Sequence, residues 1–155
     1  MMKYYQNLSG DNVADEMKER ENRIIASESS MPIYYQHMGL MDKCEIYSSM
    51  LCDHFRTVMT RWRLSNHKLR IETGRYTIPY TIRQDRLCTL CGSVEDEHHV
   101  IFDCPRYTDV RNEHIQLLQS HKTISEILNP GFIHMREVAS LLHGIERRYK
   151  ELGLC

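Results

Sequence analysis

Apolar positions along this chain recur at intervals of three and four, the spacing that lines one face of a helix. From Asp11, a polar segment places Val13, Met17, Ile24 and Ile25 roughly on one stripe, which predicts a peripheral helix capped by Asp11 or Asn12. Turn-forming residues follow at 27–32, and Pro32 disfavours helix at Met31, so this stretch is the expected linker. The strongest pattern lies at 39–63. There Leu40, Cys44, Tyr47, Leu51, Phe55, Val58 and Trp62 recur with charged residues between them, which predicts a long amphipathic helix. Burying Leu51, Phe55 and Trp62 would contribute roughly 1.5–3 kcal/mol each. Cys44 and Cys52 are expected to pack as small apolar residues.

Residues 65–72 predict a short helix opened by Ser65 or Asn66, with Leu69 facing inward and Gly74 as its terminating glycine. Residues 75–86 lack helical periodicity and contain Pro79, so an extended loop or short strand is expected. Pro105 suits the first turn of a helix that carries Tyr107, Val110, His114, Leu117 and Leu118 to about His121. Thr123, with Glu126 three residues on, has the spacing of a capping box, and Asn129-Pro130-Gly131 closes that helix. A last helix is expected at about 132–151, its stripe formed by Phe132, Val138, Leu141, Leu142, Ile145 and Tyr149. The expected fold is therefore mostly α. Residues 1–32 form a polar helix and linker, and 33–155 form a helical domain.

The chain has 155 residues, 41% apolar and 26% charged, which suits one ordinary globular domain. No run approaches the ~18 apolar residues of a membrane span, and the N-terminus has no apolar core of a secretory signal. The net charge of -1 says little, but its distribution is uneven. Residues 61–87 are net +5, through Arg61, Arg63, Lys68, Arg70, Arg75, Arg83 and Arg86 against two carboxylates. Residues 88–104 are net -4. The basic stretch reads either as a solvated face with neighbouring ion pairs or as a phosphate-contacting patch.

Beside it lies the one motif that carries chemistry. Cys88, Cys91, His99 and Cys104 follow the pattern C-x2-C-x7-H-x4-C, and Gly92 can supply the positive φ that a knuckle after two cysteines needs. Three thiolates and an imidazole suit one tetrahedral zinc ion. With no open coordination position, that zinc would be structural. His98 is the rival ligand; if unused, it faces solvent or meets a nearby acidic group. His99 and Cys104 are about a turn and a half of helix apart, so they converge only if the helix is short or ends near Cys104. Other readings are a redox Cys-x-x-Cys pair, a disulfide, or four unrelated buried residues. The redox pair lacks its usual βαβ setting, and a reducing compartment disfavours a disulfide.

Taken together, the segments at 63–76 (RLSNHKLRIETGRY) and 85–107 (DRLCTLCGSVEDEHHVIFDCPRY) resemble the zinc-binding C-terminal region of reverse transcriptases from non-LTR retrotransposons. Cys88, Cys91, His99 and Cys104 match that family's ligand positions, and Cys104-Pro105 with Tyr107 matches its closing signature. The likeness is strong over about 55–110 and weaker over 111–155, and residues 1–50 match no named family. It implies a helical region with a zinc knuckle at 86–107 inserted between helices, an RNA- or DNA-binding role, a polymerase body as a further partner, and an intracellular site, nuclear or cytoplasmic. The paired aspartates of a polymerase site are missing, since the chain contains no Asp-Asp dipeptide, so no enzymatic activity is expected. Seven phosphate contacts on a single strand would give a log K against log salt slope of about -5, with Tyr76, Tyr80 and Tyr107 offered for stacking. The competing expectation is a structural fragment in which zinc staples helices and the Leu51/Phe55/Trp62 stripe docks a partner.

Overall fold

The computed structural model describes residues 51–153, the side chain of Phe132 excepted. The expected N-terminal helix, the 27–32 linker, the 39–50 part of the long helix and Cys44 lie outside those residues. The described residues form a mostly α structure: α1 (Asp53–Arg63), α2 (Arg70–Thr73), α3 (Thr108–Glu113), α4 (Ile115–Ser120), α5 (Ile124–Leu128) and α6 (Gly131–Glu151). Short 3-10 turns at Gly74–Tyr76, Arg83–Asp85 and Pro105–Tyr107 and a π turn at His99–Asp103 fill the irregular middle.

The core is the face shared by α1 and α6. Val58, Met59 and Trp62 from α1 join Met135, Val138, Leu141, Leu142 and Ile145 from α6, all at most 1% exposed. Leu117, Ile127 and Leu128 close one end, and Tyr107 and Val110 the other. Polar contacts fix the register of this pair. Glu146 accepts from Arg61 at 2.6 Å and from the Trp62 indole N–H at 3.2 Å. The rings of His54 and His143 meet edge to face with their nitrogens 2.9 Å apart. The Leu51/Phe55/Trp62 stripe is thus turned into the molecule: Leu51 and Trp62 are buried and Phe55 packs against the core.

Several local expectations change. Within the described residues the first helix begins at Asp53, because Cys52 is extended (φ -63°, ψ 156°) and Asp53 supplies the carboxylate of the first turn. Cys52 is exposed rather than packed. Neither Ser65 nor Asn66 opens a helix. Ser65 takes a left-handed φ of 52°, the chain stays irregular to Leu69, and α2 begins only at Arg70. Leu69 does face inward, 3% exposed. Gly74 does not end α2 in the left-handed region, since its φ is -64°. Its place is set by space: a Cβ there would stand 2.8 Å from the Cγ and Cδ of Arg86.

Residues 75–86 form no strand. They hold 3-10 turns, with a cis Ile78–Pro79 bond between them. The helix expected through 121 breaks at His114 (φ -121°, ψ 27°), giving α3 and α4. The capping box at Thr123 and Glu126 forms as expected, and α6 begins one residue before the expected start.

Candidate metal centre

The segment from Arg86 to Cys104 is built by its backbone. Leu87 and Val94 form a lone antiparallel bridge. Around it the Glu95 N–H donates to the Arg86 carbonyl at 2.8 Å and the Cys88 N–H to the Ser93 carbonyl at 2.7 Å. The Gly92 N–H returns to the Cys88 carbonyl at 2.9 Å, and Gly92 takes the positive φ of 74° that this tight reversal requires. Cys88 and Cys91 thereby sit on one turn, not at the start of a helix as a redox pair would.

The second pair of side chains is brought together by helix geometry. In an α-helix, residues five apart point about 140° away from each other. Here Cys104 N–H bonds to the His99 carbonyl at 2.7 Å, the i to i+5 pattern of a π turn, which widens the helix. His99 and Cys104 face the same point as a result. The helix start is fixed by Asp96, whose Oδ1 accepts the His99 N–H at 3.0 Å.

The ligand atoms of Cys88, Cys91, His99 and Cys104 all lie within 4.8 Å of one another, so these four can hold one metal ion. Cys88 Sγ stands 3.8 Å from Cys104 Sγ, and Cys91 Sγ 3.1 Å from His99 Nε2. The sulfurs are free thiols, and 3.8 Å is far beyond the ~2.05 Å of a disulfide. His98 turns away. It is exposed and meets Asp103 at 3.2 Å, the alternative set out for it above.

Cys88, His99 and Cys104 are buried, while Cys91 opens to solvent. Burial pushes the Cys104 thiol up to about 12, only partly countered by the Arg106 backbone N–H, so without a nearby cation this sulfur keeps its proton. At Cys91 desolvation also works upward, but the Ser93 N–H and the neighbouring thiols outweigh it and hold the thiol below its ordinary value.

Two residues of the acidic segment and one from α3 anchor this centre. Glu95, 1% exposed, accepts from the Tyr149 hydroxyl at 2.9 Å and from the Arg70 N–H at 3.1 Å, which ties the metal segment to α6 and α2. Glu97 forms a buried 2.6 Å pair with His67, whose ring lies 5.0 Å from that of Trp62. Arg111 reaches back from α3 to the Cys104 carbonyl at 2.6 Å. Sequence reading missed all three roles. Glu95 meets its partners 25 and 54 residues away, and no local spacing signals that.

The basic residues separate into two groups. Lys68 and Arg70 are exposed, Arg83 is 60% exposed beside Asp96 at 3.4 Å, and Arg61 and Arg75 are half-buried against Glu146 and Glu72. Arg63 and Arg86, in contrast, are 2% and 4% exposed. Arg63 donates to the Leu128 carbonyl at 2.7 Å, where the carbonyl end of α5 favours a cation. Arg86 donates to the Ile71 and Thr81 carbonyls. These two belong to the interior, not to a phosphate-facing surface. Tyr107 is 1% exposed and offers no stacking face. Conversely, α6 brings in Lys150, which lines a groove of about 440 Å³ with Arg61 and Lys68.

Comparison with protein-family models, with characterised proteins and with solved structures returns no match to this chain. Among the described residues no helix is long and apolar enough to cross a membrane.

Proposed function

We propose that this chain is a structural zinc module, of the kind found at the C-terminus of non-LTR retrotransposon reverse transcriptases, that binds RNA or DNA through its basic face. The observation that carries the zinc is the spacing of the sulfurs. Two thiolates bound at ~2.3 Å to one tetrahedral ion lie ~3.8 Å apart, and Cys88 and Cys104 stand at 3.8 Å. With Cys91 and His99 the set reaches four protein ligands, so in this reading the metal holds structure and activates no water.

For nucleic acid, the support is a set of cations that reach solvent from distant segments: Lys68, Arg70 at the start of α2, Arg61 from α1, Arg75, Arg83, and Lys150 from α6, of which Arg61, Lys68 and Lys150 line one groove. With Arg63 and Arg86 inside, five of the seven basic side chains of the 61–87 stretch remain for phosphates. With Lys150 added to these five, the expected salt slope on a single strand falls from about -5 to about -4, at about -0.7 per contact. A docking role for the Leu51/Phe55/Trp62 stripe loses support, because α6 already covers it.

The test has two parts. Metal analysis of the purified protein should give one equivalent of zinc, lost in Cys88→Ser and His99→Ala and kept in His98→Ala. Anisotropy of a labelled oligonucleotide should show affinity falling with salt at that slope. A metal-free protein that folds normally would overturn the zinc reading. Binding that ignores salt would overturn the phosphate reading and leave a zinc-stapled interaction fragment.

A further inference from the structure

Arg86 is a buried cation with hydrogen-bond acceptors at all three of its nitrogens. Its Nη1 donates to the Ile71 carbonyl at 2.6 Å, its Nε to the Thr81 carbonyl at 2.9 Å, and its Nη2 to the Tyr80 hydroxyl at 2.9 Å. The guanidinium also lies against the Tyr80 ring, 5.3 Å from its centroid. Gly74 makes the room for it, as a Cβ there would strike the arginine stem. Thr77 completes the base of the loop, its hydroxyl 2.8 Å from that of Thr81 and 3.0 Å from the Gly74 carbonyl.

The ring held in this way is not buried. Tyr80 remains 61% exposed, and Tyr76 and Ile78 beside it are 75% and 99% exposed. An interior cation with a complete set of acceptors is thus used to fix an aromatic ring at the surface. Arg86 also lines a groove of about 420 Å³ together with Lys68, Arg70, Thr77, Thr81, Asp85 and Tyr149. Lys68 and Arg70 thus share a groove with the guanidinium that holds the Tyr80 ring.

We propose that Tyr80, clamped by Arg86, is the platform on which an unpaired base stacks while the adjoining phosphates lie along Lys68 and Arg70, so that the protein takes single-stranded over duplex nucleic acid. This rests on the nucleic-acid reading above and makes it specific. Bases in a duplex are already stacked and cannot reach a side-chain ring, whereas an unpaired base can. Because Arg86 holds the ring before binding, little side-chain freedom is lost when the base arrives. Arg86 is a positioning residue here, because it reaches the strand only through Tyr80.

The test compares labelled oligo(dT) and oligo(rU) with an oligo(dA)·oligo(dT) duplex, by anisotropy on the full chain at one salt concentration. Tyr80→Ala should weaken both single strands about tenfold and leave the duplex nearly unchanged. Tyr80→Phe, which keeps the ring, should retain most of the single-strand affinity. Arg86→Lys keeps the charge but loses the fork that reaches three acceptors, and should lower the single-strand to duplex ratio as Tyr80→Ala does. Metal content and the circular dichroism of each variant confirm that it is folded. If Tyr80→Ala weakens all probes equally or none, while Lys68→Glu with Arg70→Glu abolishes binding, the platform is overturned and the phosphate reading stands. If the unaltered protein binds none of the probes, both fall.

Discussion

The stretch from Arg86 to Cys104 and the helix from Gly131 to Glu151 solve the same problem in opposite ways. The helix is held by a continuous apolar face; Val138, Ala139, Leu141 and Leu142 are all 0% exposed. The metal segment buries Val100 and Ile101 but owes its path to directed contacts: a backbone reversal, a π turn, buried Glu95 and Glu97, and four converging ligand atoms. Non-directional burial tolerates adjustment and fails by losing area. Directed contacts fail when one partner changes charge or leaves.

On the proposed zinc reading, the sharpest way to separate the two regions is chelation. Site binding energy of order 10 kcal/mol is folding energy for the part that the ion organises. Chelation is expected to erase amide-exchange protection from about 86 to 104 while α6 keeps most of its own. Uniform loss of protection would mean that the two regions form one cooperative unit. Next in size is Leu141→Ala in the helix, which should cost about 2–5 kcal/mol in a urea titration through the cavity it leaves, with metal content unchanged from that of the unaltered protein.

Glu95→Gln acts on the join between the regions. It removes a charged acceptor from Tyr149 and Arg70 and should cost roughly 1.5–3 kcal/mol, read as earlier loss of metal-segment protection than of α6 protection. Thr123→Ala removes the cap of α5 and should cost about 1 kcal/mol, visible in the urea midpoint and silent in metal content.

The smallest effect concerns pH. Burial, then the neighbouring His54, holds His143 below its ordinary value of 6.5, while Glu146 acts upward and Arg147 and Lys150 act downward. The unfolded chain therefore takes up this proton first as pH falls, so the contribution of the pair is present above about 6.5 and lost below it. His143→Gln should flatten that part of the stability–pH curve, measured by urea midpoints between pH 5 and 8.

Local signals were legible wherever one short segment carried the whole cause. The Thr123/Glu126 box, the stripe of α6, Gly92 and the spacing of Cys88, Cys91, His99 and Cys104 are of this kind. The start of α2, the break at His114 and the π turn were not, because each is a departure from regular helix that apolar periodicity does not mark. The seven basic residues illustrate the boundary. Composition marks all of them as candidates for phosphate, yet Arg63 and Arg86 find carbonyls inside, and Lys150 joins the surface from another helix.

By itself the sequence determined a helical chain with one ligand set, since helical periodicity and short-range spacing are properties of neighbouring residues. Only the tertiary structure decided which cations are spent indoors and which meet solvent, and which aromatic rings stay open. Burial and hydrogen-bond partnership depend on what the fold brings alongside, and for Arg86 that was two carbonyls and one exposed ring.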